Sequence, residues 1–571
     1  MTELSFKGKE FVYNHHLSVP FHPLVPHPEK GIGDVAFDGN LIIQGDNLKA
    51  LKALMPMYAG KVDCIFIDPP YNTGNEGWAY NDNVNAPMIK EWLDSNPIGI
   101  DDGLRHDKWC AMMWPRLKLL FDLLADDGVM LVCIDDNELY RLRMMLDEIS
   151  GNTDNWIGTI VWKNVTDNNP TRIAIEHEYI VCFAKQKENV EKVWKSRLSD
   201  VKDILIEVGD DLSEKFKDND ELQAAYTSWF REHKKELWPL DRYKYIDHGG
   251  VYTGSQSVHN PGKEGYRYDV IHPNSGQPCK EPLMGYRFPE ETMKDLLKAE
   301  KILFGEDHTK IIELKVYAKD YLSKLPSVIE LDGRVAAYEL REIFPDQKKA
   351  FDHPKPTQLV DQLLSFVATP NAIVLDSFAG SGTTAHSVLK LNQADEGNRR
   401  FVLVEMEEYA EDLTSERVRR VINGVKSAQS DELKNGYDAK FTYCTLGDAI
   451  EMDTILTGQN LPAYDQLGAL LFHMATNHPL DPSGVDQEAR YLGESEDLHV
   501  WLIYQDDLDW LKSQEAALTL SFAREIAGAK PDKPHLVFAP ARFVSQKLLN
   551  DERLQVEFAP LPFALYRVER D

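Results

Sequence analysis

The sequence is poor in the features that mark extracellular, membrane-spanning or metal-built proteins. Its six cysteines (Cys64, Cys110, Cys133, Cys182, Cys279, Cys444) are scattered, with no CxxC pair and no Cys/His ligand spacing. That pattern argues for a reducing compartment and against a zinc module; no metal ligand set is expected. No stretch approaches the roughly 20 apolar residues of a membrane helix, and the first residues, MTELSFKGKEF, contain no apolar core of an export signal. The expected compartment is the cytoplasm, without membrane attachment. There is no internal repeat and no low-complexity tract.

Basic residues are also scarce: 63 Lys+Arg stand against 93 Asp+Glu, a formal charge of −30. Phosphate contacts dominate nucleic-acid affinity, so this balance argues at first sight against a nucleic-acid partner. Net charge is a weak veto, because binding follows local fields screened over about 8–10 Å. A DNA-binding reading requires basic residues gathered in a cleft, with the excess acid elsewhere.

What is present is the hydrophobic and aromatic content of a globular chain, 43% and 10%. At 571 residues it is too long for one core. NLIIQGD (40–46) and VDCIFID (62–68) each read as a buried strand ending in an acid, with a helix between them. A helix over about Asp107–Leu124, a strand over Val129–Asp135 and a helix over about Asn137–Ile149 follow. Strands alternating with helices predict a mostly parallel sheet, an α/β fold. From about Lys185 to Asp352 the texture changes to charged helix, aromatic–basic mixtures and turn-rich loops, as expected of an inserted domain. The α/β pattern returns at Ala372 with a strand to Asp376, a glycine-rich turn, a helix and the strand Phe401–Glu405. HVWLIY (499–504), a helix near Asp506–Ile526 and HLVFA (535–539) predict a small terminal α/β unit. The expected divisions are an N-terminal arm (1–39), a first core segment (40–185), an insert (186–350), a second core segment (351–430) and a C-terminal domain (437–571).

Two motifs carry chemistry. Asp68-Pro69-Pro70-Tyr71 ends a strand, where open α/β sheets place their sites. The exocyclic nitrogen of adenine is a poor nucleophile because its lone pair is delocalised into the ring. A carboxylate and a carbonyl that accept both of its hydrogens favour a more tetrahedral nitrogen and free that lone pair. Asp68 supplies the carboxylate; Pro69 offers its carbonyl, and neither Pro69 nor Pro70 has an N–H to compete. Tyr71 offers a face for a base flipped from the duplex, returning roughly 1–3 kcal/mol by stacking against a flipping cost of a few kcal/mol. A strand-ending turn with no chemical role satisfies the same string. The second motif, DSFAGSGTT (376–384), lies on another strand-to-helix turn. Gly380 and Gly382 let the backbone approach a ligand beside a helix N-terminus. The lysine of a phosphate-binding P-loop is missing, which disfavours a nucleotide triphosphatase. Glu405 ends the next strand about 23 residues after Gly382, where nucleoside-binding folds hold ribose hydroxyls; a surface carboxylate is the plain alternative.

Together these motifs resemble the β-class amino-methyltransferases of DNA, in which the catalytic motif precedes the cofactor loop and the target-recognition region lies between. Within that class the chain is most similar to the modification (Mod) subunits of type III restriction–modification systems. DPPYNTGNEGWAYND (68–82), HEYIVCFAK (177–185), YRYDVIHPNSGQPCKEPLMGYRF (266–288), DSFAGSGTTAHSVLKLN (376–392), GNRRFVLVEMEEY (397–409) and, less specifically, FAPLPFALYRVE (558–569) carry the likeness. The resemblance implies a Rossmann-like core, S-adenosylmethionine as cofactor, and methyl transfer to adenine N6 in double-stranded DNA. It places Asp46 near the cofactor adenine and FDHPKPT (351–357), with Lys355, at its methionine end. Asp376, Phe378, Gly380 and Gly382 line the cofactor, and Glu405 meets its ribose. It further implies a homodimer and a restriction helicase–nuclease partner. Two departures stand out: Ser377 where the wider class has proline, and a chain short for such subunits. Transfer to cytosine N4 on the same fold, a protein or RNA methyltransferase, and a non-catalytic DNA-binding specificity subunit are the alternatives.

Four further expectations concern single stretches. GNEGWAY (74–80), with Trp78 and Tyr80, reads as a loop over the target base or as core packing. The aromatic–basic stretch Trp229–Tyr245 reads as a DNA contact or an amphipathic helix. His177 reads as structural, and Glu407 with Glu408 as a solvated face.

Overall fold

A computed structural model describes residues 3–73, 103–165, 172–196, 200–234, 237, 240–260, 262–347, 349–449, 461–476, 478, 480–511 and 513–561. The stretch 74–80 with Trp78 and Tyr80, part of the Trp229–Tyr245 stretch including Trp238, and the end of FAPLPFALYRVE after Leu561 lie outside the described residues. Two compact units emerge: residues 1–193 with 326–571, and Trp194–Leu325.

The first unit is built on a ten-stranded sheet. Its strands are β1 (Leu24–Pro26), β2 (Leu41–Gln44), β3 (Val62–Ile67), β4 (Leu124–Ile134), β5 (Trp156–Lys163) and β6 (His177–Ala184). After the four strands of the second unit, β7 (Tyr245–Asp247), β8 (Gly250–Ser255), β9 (Ile302–Leu303) and β10 (Glu313–Tyr317), come β11 (Val328–Glu330), β12 (Ile373–Asp376), β13 (Arg400–Glu405) and β14 (Thr442–Leu446). The order across the large sheet is β1-β14-β2-β13-β12-β3-β4-β6-β5-β11. From β14 to β4 every pairing is parallel. These central strands read as continuous apolar runs because helices cover the sheet. Helices Asn47–Tyr58 and Arg105–Leu123 pack on each other and share one core with β2, β3 and β4. Helices Thr357–Val367 and Thr383–Asp395 form a second pair.

The connections diverge between β3 and β12. From β3 the chain passes through helix Arg105–Leu123 to β4 on one side; from β12 it passes through helix Thr383–Asp395 to β13 on the other. Such a switch point opens a crevice at the carboxyl ends of the two strands, where ligands of open α/β sheets bind. The DPPY turn and the glycine loop leave these two strands, side by side in register Val374↔Cys64 and Leu375↔Ile65.

The boundaries differ from the expected ones. The insert is Trp194–Leu325, shorter at both ends than 186–350. Residues 326–350 belong to the first unit because β11 adds to β5 in parallel, which a reading of composition cannot detect. The insert carries its own antiparallel sheet, β7-β8-β10-β9, with helices Asp200–Lys215 and Asn219–His233. Likewise β14, expected in the C-terminal domain, pairs with β2 in the large sheet. The terminal residues form a separate four-stranded sheet of β15 (Tyr491–Glu494), β16 (His499–Leu502), the strand His535–Ala539 and the strand Val556–Pro560. The single helix expected near Asp506–Ile526 is two, Leu508–Leu511 and Leu520–Ala529. The break is set by Ser513 and Thr519, whose hydroxyls accept the Glu515 and Phe522 N–H groups as caps. Among the described residues no helix is long and apolar enough to cross a membrane.

Candidate active site

β3 is buried almost along its whole length and delivers Asp68 to the crevice. The turn that follows is pinned from two sides. The wholly buried Trp109 donates its Nε1–H to the Pro70 carbonyl at 2.7 Å. Asn72, buried and at a left-handed φ of 63°, donates to the Glu138 carboxylate at 2.5 Å and to the Arg105 carbonyl at 3.2 Å. Asparagine tolerates this backbone region better than most residues, which suits it to end such a turn.

Asp68 Oδ2 accepts from Lys355 Nζ at 2.7 Å, whereas Asp68 Oδ1 is buried and has no hydrogen-bond partner among the described residues. The same ammonium reaches Tyr71 Oη at 3.1 Å and lies 3.4 Å from Glu178 Oε2. Tyr71 donates its hydroxyl proton to Glu178 Oε2 at 2.8 Å, and Asn164 Nδ2 donates to Glu178 Oε1 at 2.6 Å. Lys355 also stands over the rings of Tyr71 and Trp162, 5.1 and 5.7 Å from their centroids. Burial opposes the charge on Lys355, but the carboxylates of Asp68 and Glu178 outweigh it and hold the group above the ordinary lysine value. Burial first, then the Asp68 charge, raises the Tyr71 phenol well above its ordinary value, so it stays protonated.

On the neighbouring strand, Asp376 Oδ1 accepts the Phe378 N–H at 3.0 Å and Oδ2 accepts the Thr384 hydroxyl at 2.5 Å. Burial nonetheless pushes Asp376 up to about 7. Gly380 and Gly382 adopt φ of 51° and 78°, a region open to glycine. Glu405 accepts the Gly380 N–H at 2.7 Å and the Glu407 N–H at 3.0 Å; burial raises it above the ordinary carboxyl value. Thr414 donates to the Gly380 carbonyl at 2.6 Å. Behind the loop, the buried Arg417 donates to Thr383 Oγ1 at 2.8 Å and Ser381 Oγ at 3.1 Å, and faces Glu339 at 3.7 Å. The carbonyl of Ser377 accepts from Asn47 Nδ2 at 3.1 Å, and Asn47 is itself held by Arg116 at 2.6 Å. The Ser377 hydroxyl is buried without a partner among the described residues. This loop thus offers an orphaned hydroxyl, two carboxyl groups and a glycine backbone at a helix N-terminus: a donor and acceptor set that fits a polar nucleoside bearing a cationic centre.

Asp68, Pro69, Pro70 and Tyr71 therefore share one crevice with Asp376, Phe378, Gly380, Gly382 and Glu405. Phe378 is partly buried against the core. Asp46 caps helix Asn47–Tyr58 by accepting the Lys49 N–H at 3.1 Å, with Arg116 4.0 Å away. Lys355, expected at the methionine end of the cofactor, lays its side chain on the DPPY turn, and its carbonyl accepts the Thr383 hydroxyl at 3.1 Å. The expected DNA contacts in Trp229–Tyr245 are corrected in part: Phe230 and Tyr243 are buried in the core of the insert, so they pack and do not present faces. His177 Nε2 hydrogen-bonds Tyr179 Oη at 2.8 Å, and Glu407 and Glu408 are exposed. Sequence reading missed Glu178, Asn164, Trp109, Asn47 and the Glu339–Arg417 pair. One signal was available: Glu178 is an acid within an otherwise apolar and aromatic strand.

The sequence model of the DNA methylase family matches residues 62–416. The chain is 50% identical over 414 residues to the type III restriction-modification enzyme EcoP15I Mod subunit of Escherichia coli, an alignment covering 70% of this chain and 61% of that protein. It is 28% identical over 550 residues to the StyLTI Mod subunit of Salmonella typhimurium strain LT2, covering 89% and 77% of the two chains. To the EcoPI Mod subunit of Escherichia phage P1 it is 29% identical over 471 residues, covering 73% and 67%. The chain thus spans less than two thirds of the Escherichia coli relative it matches.

Proposed function

This chain belongs to the DNA methylase family, and from that premise we propose that it transfers a methyl group from S-adenosylmethionine to the N6 nitrogen of adenine in double-stranded DNA, as the modification subunit of a type III restriction–modification system. The observation that carries the reading is Asp68 Oδ1, buried and without a hydrogen-bond partner among the described residues. A buried carboxylate oxygen without a donor is costly to leave unpaired, and a flipped base that brings an amino group satisfies it.

Asp68 Oδ1 accepts one hydrogen of the amino group, and the carbonyl of the DPPY turn that accepts the other is Pro69, since Pro70 is engaged by Trp109. Tyr71 gives the base a face to stack on, held in orientation by its hydroxyl bond to Glu178. Two acceptors on one amino group draw the nitrogen toward a tetrahedral form with its lone pair directed out of the ring. Ser377, Asp376, Gly380, Gly382 and Glu405 would hold S-adenosylmethionine, with Asp46 toward its adenine. When bound, it supplies a methyl group on a positively charged sulfur, already activated for transfer without a metal. The protein's own contribution is orientation and placed charge. The adenine preference rests on the aspartate of DPPY. A homodimer and a helicase–nuclease partner are part of the same proposal; the name Mod subunit of a restriction-modification enzyme, which the relatives carry, supports a partner subunit.

The test is modification sequencing of DNA from cells that express this chain, against an Asp68→Ala control. N6-methyladenine at one short asymmetric motif, absent from the control, is the expected result. N4-methylcytosine at that motif would replace adenine with cytosine as the target. No modified base in either sample would overturn the proposal for the chain acting alone.

A further inference from the structure

Three charged groups meet at the catalytic turn, and their sum is not zero. Asp68 and Glu178 bring two carboxylates to one ammonium, Lys355, at 2.7 and 3.4 Å. Cys133 beside them is kept protonated by burial. Asp68 and Lys355 alone would form a closed pair, with the aspartate charge fully committed. Glu178 changes that, because the ammonium now has a second carboxylate to lean on.

We propose that Glu178 is a positioning residue of the transfer reaction: it shares the Lys355 ammonium with Asp68, and so leaves one negative charge in the site for the target nitrogen. That nitrogen is the group whose charge changes. Its lone pair forms the new N–C bond as the S–C bond breaks toward sulfur, so it gains the positive charge the sulfur loses. It stays positive until one of its hydrogens leaves as a proton to Asp68 Oδ1, the acceptor it already faces, and from there to water. An ammonium bound to Asp68 alone would oppose that cation; an ammonium drawn toward Glu178 opposes it less and leaves Asp68 to face it. The local architecture suits the role. Asn164, buried, fixes one oxygen of Glu178, and Tyr71 and Lys355 share the other, so Glu178 sets the aromatic face and the ammonium together. Glu178 touches neither the base nor the reacting atoms; it acts through Lys355 and Tyr71. The inference rests on the function proposed above.

A charge cycle tests it, with wild type, Glu178→Gln, Lys355→Met and the double variant measured for single-turnover methyl transfer, cofactor affinity and melting temperature. Each single variant should lose about 100-fold in transfer rate, the scale of losing one placed electrostatic group, with cofactor affinity little changed in both. Glu178→Gln cancels the charge that faces the target nitrogen, and Lys355→Met leaves Asp68 and Glu178 to repel each other out of place. The double variant regains a net charge of one negative and should transfer faster than Glu178→Gln alone. In melting, Lys355→Met leaves two carboxylates facing each other, and adding Glu178→Gln should recover part of that loss. A double variant whose rate equals the product of the two single losses would overturn the catalytic role, even with melting recovered. Additive losses in melting would overturn the charge sharing itself. A wild-type chain inert on DNA would overturn the functional reading instead, and the melting cycle, which needs no substrate, would still decide the charge sharing.

Discussion

Trp109 donates its indole N–H to the carbonyl of Pro70 at 2.7 Å, tying the DPPY turn to the helix that leads from the switch point to β4. With the Pro70 carbonyl so engaged, the preceding carbonyl, that of Pro69, is the one assigned to the target amino group. Trp109→Phe keeps most of the packing and removes the donor. Leaving a buried acceptor unpaired costs about 1–3 kcal/mol, so the melting temperature should fall by a few degrees. The transfer rate should fall further than stability explains, while cofactor affinity holds. Kinetics and calorimetry on the one variant check both halves, and an unchanged transfer rate would refute the fixed-turn argument.

Asp68→Ala separates the two halves of the crevice. Asp68 directly follows β3, whereas the glycine loop is held by Glu405, Thr414, Arg417 and Asn47. Cofactor affinity should stay within about twofold and transfer should drop by at least about 100-fold. Equal loss of both activities would sink the assignment of Asp68 to the base.

The contrast between Asp68 and Lys355 shows how far the sequence could be read. The setting of Asp68, Tyr71, Gly380 and Gly382 is legible because it is local: each stands at or just past the end of an apolar run, with its turn residues beside it. Lys355 was read as a cofactor residue from its place before the glycine loop. Its backbone is indeed tethered there through Thr383, but its long side chain crosses to a turn 287 positions earlier in the chain. Glu178, Asn164 and the Glu339–Arg417 pair were illegible for the same reason, since what they do is decided by partners distant in sequence. The insert boundary failed differently. β11 is three residues long and looks like loop, and only its parallel pairing with β5 makes it part of the large sheet.

Gly382→Val tests the loop by geometry. At φ 78° a β-branched residue is strained by about 1–2 kcal/mol, and a Cβ there would stand 3.0 Å from the Thr414 carbonyl oxygen. That oxygen is backbone and cannot swing away. Cofactor binding should vanish in calorimetry while Asp68 and its partners stay in place. Unchanged cofactor affinity would refute the cofactor-loop reading outright.

Asp376 gives the loop a pH dependence whose sign can be worked out. Burial raises its folded value to about 7, against the bonds from Thr384 and Phe378, whereas the unfolded group titrates near 3.8. Between those values the folded chain holds a proton that the unfolded chain has lost. This group therefore favours folding most below the unfolded value, and that contribution is lost as pH rises toward 7. Cofactor binding should run the other way. The ligand carries positive charge, the ionised carboxylate attracts it, and ionisation grows as pH rises through about 7, so affinity should strengthen between about pH 6 and 8 by at most about tenfold in all, the limit for one group titrating near 7. Binding at pH 7 should also release part of a proton, visible as a dependence of the calorimetric heat on the ionisation enthalpy of the buffer. Asp376→Asn keeps a side-chain acceptor for Phe378 and cannot ionise, so both effects should disappear. If the asparagine variant kept the pH slope and the proton release, the titrating group would have to be sought elsewhere in the loop, with Glu405 the next carboxyl to replace.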